Sequence, residues 1–274
     1  MHGAIVRSCC SEALACAEPV IPSTERASLL GNLMGDILAP RYLAWLFQGF
    51  GITLALSAAV CLASTALGLA ACGLREVGGP AGRRIVAGFV GLIRNTPLLV
   101  QLFVWYFAVA ALLPGGLTVW LNTPHVLDLG GGTLRWPAYE TLAGFCGLTL
   151  YAAAYIAEEG RAGINGVRPA QREAARALGL TEVQAFRHVV LPQALRLAWL
   201  PIVGQYLNTI KNTSLTMTIG LAELSYASRQ VETETFKTFQ AFGIATLLYV
   251  GAVAAVEAAG QALVRRPGPA GQRR

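Results

Sequence analysis

Residues 42–74 contain no Asp, Glu, Lys or Arg. Wound as an α-helix rising 1.5 Å per residue, a run of that length measures about 50 Å, more than the ~30 Å hydrocarbon core of a bilayer. One tilted span with an interfacial start near Trp45 accommodates it. Four more apolar stretches follow: 85–114 with Arg94 inside it, 141–157 between Glu140 and Glu158, 197–222 interrupted only by Lys211, and 238–256 ending before Glu257. All are too long and too uniformly apolar for surface helices. The fold expected is therefore an all-α polytopic membrane protein with about five transmembrane helices. Composition agrees: only 13% of the 274 residues are charged, against about 25% in soluble domains, and the mean hydropathy is +0.52. This excludes disordered, collagen-like and disulfide-scaffold proteins.

The net charge of +6 is not gathered into a nucleic-acid-binding patch. Arg75, Arg83 and Arg84 follow the first span, Arg161, Arg168, Arg172, Arg176, Arg187 and Arg196 the third, and Arg265, Arg266, Arg273 and Arg274 the last. The other side of the membrane receives only Arg7, Arg26, Arg41, Arg135, Arg229 and Lys237. Basic residues stay in the cytosol during insertion, so the expected orientation in a cell inner membrane has the N-terminus outside and the C-terminus in the cytosol. The domain layout expected is an extracytoplasmic segment 1–40, a membrane domain 41–264 and a cytoplasmic tail 265–274. Residues 1–40 lack the unbroken apolar core of a secretory signal, although residues 28–38 are amphipathic enough to lie on the outer surface. The outer loop 114–137 shows turn chemistry and little else, and no internal repeat is evident.

The cytoplasmic stretch 158–196 has more pattern than a connector needs. From Pro169 it reads as a helix broken at Gly179; Thr181, with Gln184 three residues on, then caps a second helix that Pro192 ends. Two short helices around a glycine corner form a compact projection, as a docking element for a cytosolic partner would.

These residues resemble the permease subunits of ABC importers. The family motif is EAA, three residues, Gly, nine residues, Ile, one residue, Leu-Pro. The chain has Glu173, Ala174, Ala175, then Gly179, then Val189 in place of Ile, then Leu191 and Pro192 at those spacings. RNTPLLVQLF (94–103), AAYIAEEGRAGI (153–164), LPQALR (191–196) and KNTSL (211–215) are similar to the polar amino-acid permease family. The resemblance covers roughly 45–250. It implies an amino-acid import permease served by an ABC ATP-binding subunit dimer, a second permease subunit (self or related) and an extracytoplasmic solute-binding protein. It also implies that residues 180–188 lie in a cleft on the ATPase, with Glu173 bracing the two helices through neighbours such as Arg172 or Arg176. The chain itself has no P-loop, since Lys211 and Lys237 are its only lysines and neither follows a Gly-rich run. It is therefore not an enzyme and binds no cofactor, and ATP and Mg belong to the partner.

Two polar breaks interrupt the apolar spans: Arg94, Asn95 and Thr96 before Pro97, with Gln101 one turn on, and Lys211, Asn212, Thr213 and Ser214. A charge at such a depth costs about 2.5–3.5 kcal/mol on insertion scales, so each must be paired or face water. Either these groups line a translocation path for a zwitterionic or charged solute, or they hold the bundle together by interhelical hydrogen bonds. Glu158, Glu159 and Arg161 read as an interfacial charge cluster, and Gln205, Tyr206 and Asn208 have the same two readings as the breaks.

Two other functions compete. An ion-coupled secondary transporter of small polar solutes uses intramembrane carboxylates, and the uncharged spans have no Asp or Glu until their ends. A membrane hydrolase or metal site needs an imidazole, and His2, His125 and His188 all lie outside the spans. Cys9, Cys10 and Cys16 near the N-terminus and Cys61, Cys72 and Cys146 within apolar runs have no metal-ligand spacing.

Overall fold

Apolar segments in lipid must satisfy their own backbone hydrogen bonds, which makes them helices. The computed structural model describes residues 38–123, 126–128, 133–135 and 138–265, so the amphipathic stretch 28–38 lies almost wholly outside the described residues, as does most of the tail. By packing the chain divides into Met1–Pro40 and Arg41–Arg274. The described residues of the second unit are helical nearly throughout. Its elements are α1 (Pro40–Val77), α2 (Gly79–Arg94), α3 (Leu98–Leu112), α4 (Gly115–Asn122), a hairpin of β1 (Val126–Asp128) and β2 (Thr133–Arg135), α5 (Tyr139–Gly166), α6 (Pro169–Ala177), α7 (Glu182–Ala185), α8 (Leu191–Asn212), α9 (Leu224–Thr235) and α10 (Thr238–Arg265).

Among the described residues, α1, α5 and α10 are each long and apolar enough to cross a membrane. They are the first, third and fifth expected spans. The second is not one rod: α2 and α3 meet at 102° and count as a span only as a bent pair. Pro97 is extended at the junction (φ −61°, ψ 137°), its ring disfavours helical backbone at Thr96, and Asn95 and Thr96 supply the turn. The fourth expected span, 197–222, begins within α8 and then tightens into a 3₁₀ segment, Thr213–Ile219. With Arg196, Gln205, Asn208 and Lys211 along it, α8 falls short of the apolar character of the other three. The outer loop, read as turns alone, contains α4 and the hairpin, whose strands pair antiparallel with Leu127 opposite Leu134.

The third span is the hub. In α5, 56% of the most apolar window is buried inside the protein, against 17% in α10, so α5 faces protein where α10 faces outward. Tyr139, Ala143, Leu148 and Ala152 of α5 pack with Leu56 and Val60 of α1, Leu98 and Leu102 of α3, and Ile219. Ala154 and Ala157 meet Val86 and Val90 of α2. Ile156 meets Ala198 and Ile202 of α8. Small residues set the closeness of α5 and α8: a Cβ added at Gly163 would lie 2.6 Å from the Ala194 carbonyl oxygen and 2.9 Å from the Ala198 Cβ. Large side chains such as Leu62, Leu92, Phe107 and Leu247 are exposed, which suits a chain whose solvent is hydrocarbon.

Candidate functional site: the helix–Gly–helix projection and the polar breaks

The motif spacing of the projection has a backbone cause. Gly179 ends α6 at φ 85°, a left-handed conformation that costs a side-chain-bearing residue energy. Its N–H reaches the Arg176 carbonyl at 2.8 Å and the Leu180 N–H reaches the Ala175 carbonyl at 3.2 Å. This is the Schellman closure, in which the left-handed residue stands four positions after the carbonyl that accepts from its successor. The three residues between Ala175 and Gly179 are thus the number that geometry requires. Ala175 is buried and must be small; Ala174 is exposed.

Beyond the corner, the Thr181 hydroxyl accepts from the Gln184 N–H at 3.3 Å, and the Gln184 side chain accepts from the Thr181 N–H at 2.9 Å. The capping box expected from the sequence is present. Glu173 does not brace the two helices as expected. Arg176 pairs closely with Glu182, and Arg172 approaches the same carboxylate at 3.6 Å, because the corner folds α7 back alongside those arginines. Among the described residues Glu173 makes no ion pair; it lines a cavity of about 440 Å³ together with Glu76, Asn165, Arg168, Arg172 and Arg176.

Pro192 does not end the second helix either. The chain stays helical from Glu182 into α8 through a π turn, Phe186–Val190, in which the Leu191 N–H bonds the Phe186 carbonyl five residues back. Widening the turn there accommodates a proline, which lacks a donor and crowds the preceding turn. Leu191 and Pro192 accordingly open α8, and Gln193 caps the Val189 carbonyl at 2.9 Å. α7 and α8 are therefore joined by continuous helix. At the tip, Leu178 and Val183 are 82% and 74% exposed, two large apolar side chains on an otherwise polar knob.

The first polar break is tied internally. Buried Gln101 donates its amide to the Ile93 carbonyl (2.8 Å), the Thr96 carbonyl (3.1 Å) and the Thr96 hydroxyl (2.8 Å), while Thr96 donates back to the Leu92 carbonyl at 2.9 Å. These bonds satisfy the carbonyls that the 102° bend frees. Asn95 is exposed, and so is Arg94, whose guanidinium lies 5.1 Å from the centre of the Tyr155 ring. Tyr155 stands in the last turn of the apolar run 141–157, so Arg94 sits near the end of that run, close to Glu158. In the second break Lys211 is exposed and Asn212 half-buried. Thr213 is fully buried and bonds the Ile210 carbonyl at 2.8 Å; Ser214 bonds the Lys211 carbonyl at 2.7 Å. Tyr206 bonds Thr65 of α1 at 2.7 Å. Glu158 is an internal anchor, paired with Arg161 one turn on and with Arg75 of α1 at 3.5 Å.

One residue escaped sequence reasoning. Glu223, placed at the end of the fourth apolar run, is fully buried. Its carboxylate accepts from the Tyr226 N–H (3.0 Å), the Thr53 hydroxyl (3.3 Å) and the Tyr249 hydroxyl (2.6 Å). Thr53 lies thirteen residues into α1 and Tyr249 eleven into α10, roughly 20 Å and 17 Å along spans that cross a ~30 Å core. The spans therefore enclose a carboxylate at depth after all, and its absence no longer counts against ion coupling. The only sequence signal was an acidic residue one position past an apolar run with a helix-start pattern after it. Among the described residues no group of three or more His, Cys, Asp or Glu side chains could hold a metal ion.

Comparison with known proteins agrees with this geometry. The family described as binding-protein-dependent transport system inner membrane component matches residues 64–267. The chain is 32% identical over 216 residues to the glutamate/aspartate import permease protein GltJ of Escherichia coli (strain K12), covering 76% of this chain and 81% of the relative. It is 33% identical over 203 residues to the probable glutamine ABC transporter permease protein GlnM of Bacillus subtilis (strain 168), covering 74% and 84%. A crystal structure of an amino acid ABC transporter with histidines superposes with a TM-score of 0.70 at 25% identity, over 83% of this chain and 96% of that one.

Proposed function

Since the chain belongs to the family of binding-protein-dependent transport system inner membrane components, as a polar amino-acid ABC importer permease, we propose that it forms the translocation path of an ATP-driven importer and takes its drive through the projection α6–α7. The observation that carries this reading is the rigid helix–Gly–helix knob with Leu178 and Val183 exposed at its tip. Apolar side chains on a braced, polar element are what a docking partner covers. An ABC ATP-binding subunit dimer, using ATP and Mg, closes and opens around two such knobs, one from this chain and one from a second permease subunit. Glu173, Ala174, Ala175 and Gly179 shape the knob, and Leu191 and Pro192 begin the helix that carries its displacement into the membrane.

The solute, handed over by an extracytoplasmic binding protein, passes Arg94, Asn95, Lys211 and Asn212. An acidic or amide amino acid fits the names of the two relatives. Thr96, Gln101, Thr213 and Ser214 shape the path by fixing the backbone. The N-terminus is outside and the C-terminus cytosolic. Reconstituted with its neighbours in proteoliposomes, the complex should take up amino acid when ATP is supplied on the projection's side. Uptake driven by a proton or sodium gradient without ATP would refute the reading. Single-cysteine probes in intact cells should label position 133 and leave position 181 unlabelled; the reverse would overturn the orientation.

A further inference from the structure

Breaks in the chain bound α2 on both sides. Gly79 turns the chain after α1 at φ 61°, and the 102° bend at 95–97 turns it again into α3. Between them 16 residues rise about 24 Å. Val86, Val90 and the Arg94 guanidinium meet α5 at Ala154, Tyr155 and Ala157. A stretch of α2 about 12 Å long thus lies against a rise of about 4.5 Å on α5. α2 therefore crosses this spanning helix steeply instead of running beside it, and it does so at the end of the apolar run 141–157, next to Glu158.

The side chains of α2 divide in the same sense. At about 100° per residue, Gly82, Val86 and Val90 form one face, and all three are buried. About a quarter turn away stand Ile85 and Leu92, 65% and 66% exposed. Arg83 and Arg94 lie about half a turn from those two, and Arg84 about half a turn from the buried face; all three arginines are exposed. Among the described residues neither Arg83 nor Arg84 has an ion pair. A helix lying in the membrane plane at headgroup level has this pattern, with apolar side chains toward the acyl chains and charges toward water. The third face of α2 is held by the protein.

We infer that α2 lies in the surface of the inner leaflet and that Arg83 and Arg84 hold the phosphate groups of anionic phospholipids there. This rests on the orientation in the importer reading above, which puts the corner between α1 and α2 in the cytosol. Lipid is the occupant these residues select. Ile85 and Leu92 need acyl chains beside them, and the two guanidiniums need anions that the chain does not supply. Phosphate accepts the planar guanidinium fork through paired hydrogen bonds. Arg94 is the last residue of α2, so the level at which lipid holds the helix is also the level of the first polar break.

Gly88 lies between Leu92 and Arg84 on the helix surface, with nothing within 4 Å of where a side chain would start; Ala87 lies between Arg94 and Arg84, on the charged edge. A photo-reactive benzophenone side chain is placed at 88 or at 87. The full complex is irradiated in vesicles of phosphatidylcholine with phosphatidylglycerol as the minor lipid, and adducts are identified by mass. Position 88 should give lipid adducts with phosphatidylglycerol enriched about fivefold over its share of the vesicle, the scale of one basic side chain at an anionic surface. Position 87 should give few. Arg83→Gln with Arg84→Gln should return the adducts at 88 to the vesicle composition, and so should high salt with both arginines intact. Arg229→Gln, which alters an exposed arginine of α9, should change nothing. The ratio is read on recovered complex, so a variant's yield does not enter it. Adducts in vesicle proportion with both arginines present overturn the inference. So do adducts to a partner polypeptide at 88, or equal lipid labelling at 87 and 88, which marks a helix crossing the bilayer. Absence of ATP-driven uptake would refute the importer reading itself, a result obtained without the crosslinks.

Discussion

Gly179 separates backbone geometry from packing cleanly. A Cβ built there meets nothing within 4 Å, yet its φ is 85°, so a substitution costs conformational energy and no steric clash. Left-handed backbone costs an L-residue about 1–2 kcal/mol, and more for a β-branched side chain. The corner must either absorb that cost or leave the left-handed region. Leaving it breaks the bonds to the Ala175 and Arg176 carbonyls and parts Glu182 from Arg172 and Arg176. At about 1.4 kcal/mol per decade, Gly179→Ala should lower the docking-competent fraction roughly tenfold, and Gly179→Val further. Gly179→Asn should be milder than either, because Asn tolerates this region. The assay is co-purification of the ATP-binding subunit and binding-protein-stimulated hydrolysis, with membrane abundance as reference. Abundance should hold in all three. Gly163→Ala gives the opposite pattern: its Cβ would lie 2.6 Å from a backbone oxygen between α5 and α8, so abundance itself should fall. Full stimulation in Gly179→Val, or a Val variant milder than Ala, would refute the reasoning.

Leu178→Ser should weaken ATPase co-purification by at least tenfold, since burying a leucine on docking is worth about 2 kcal/mol, and should leave the thermal stability of the isolated permease unchanged. Glu182→Ala should loosen the projection more than Glu173→Ala, the reverse of what the family motif alone suggests. Proteolysis of the 158–196 region in the isolated subunit reads this directly, and equal protection in both variants would refute the clamp. Gln101→Glu should weaken assembly, because a carboxylate oxygen would replace the amide donor against the Ile93 and Thr96 carbonyls at 2.8 and 3.1 Å. Gln101→Leu, which only leaves carbonyls unsatisfied, should cost about 1–3 kcal/mol, visible as a lower midpoint in detergent melting.

Membrane residence, the helical class and the helix–Gly–helix corner were legible in the residues alone, because each is a short-range consequence of side-chain type. An uncharged run has no alternative but helix in lipid, and a Gly four places after a buried Ala, followed by a Thr with Gln three on, closes one helix and opens the next by local hydrogen bonds. The 102° bend was foreshadowed by Asn95, Thr96 and Pro97, but its angle depended on Gln101 folding back eight residues to Ile93. Glu182, not Glu173, became the partner of the arginines because the corner decides which carboxylate comes near, and spacing along one helix cannot report that. The π turn before Pro192 was likewise invisible to a rule that ends helices at proline. Glu223 lay furthest from reach: its donors come from positions 170 residues upstream and 26 downstream. Burial of a charge is a property of what surrounds it, and only the packing of α1 and α10 around the start of α9 created those surroundings.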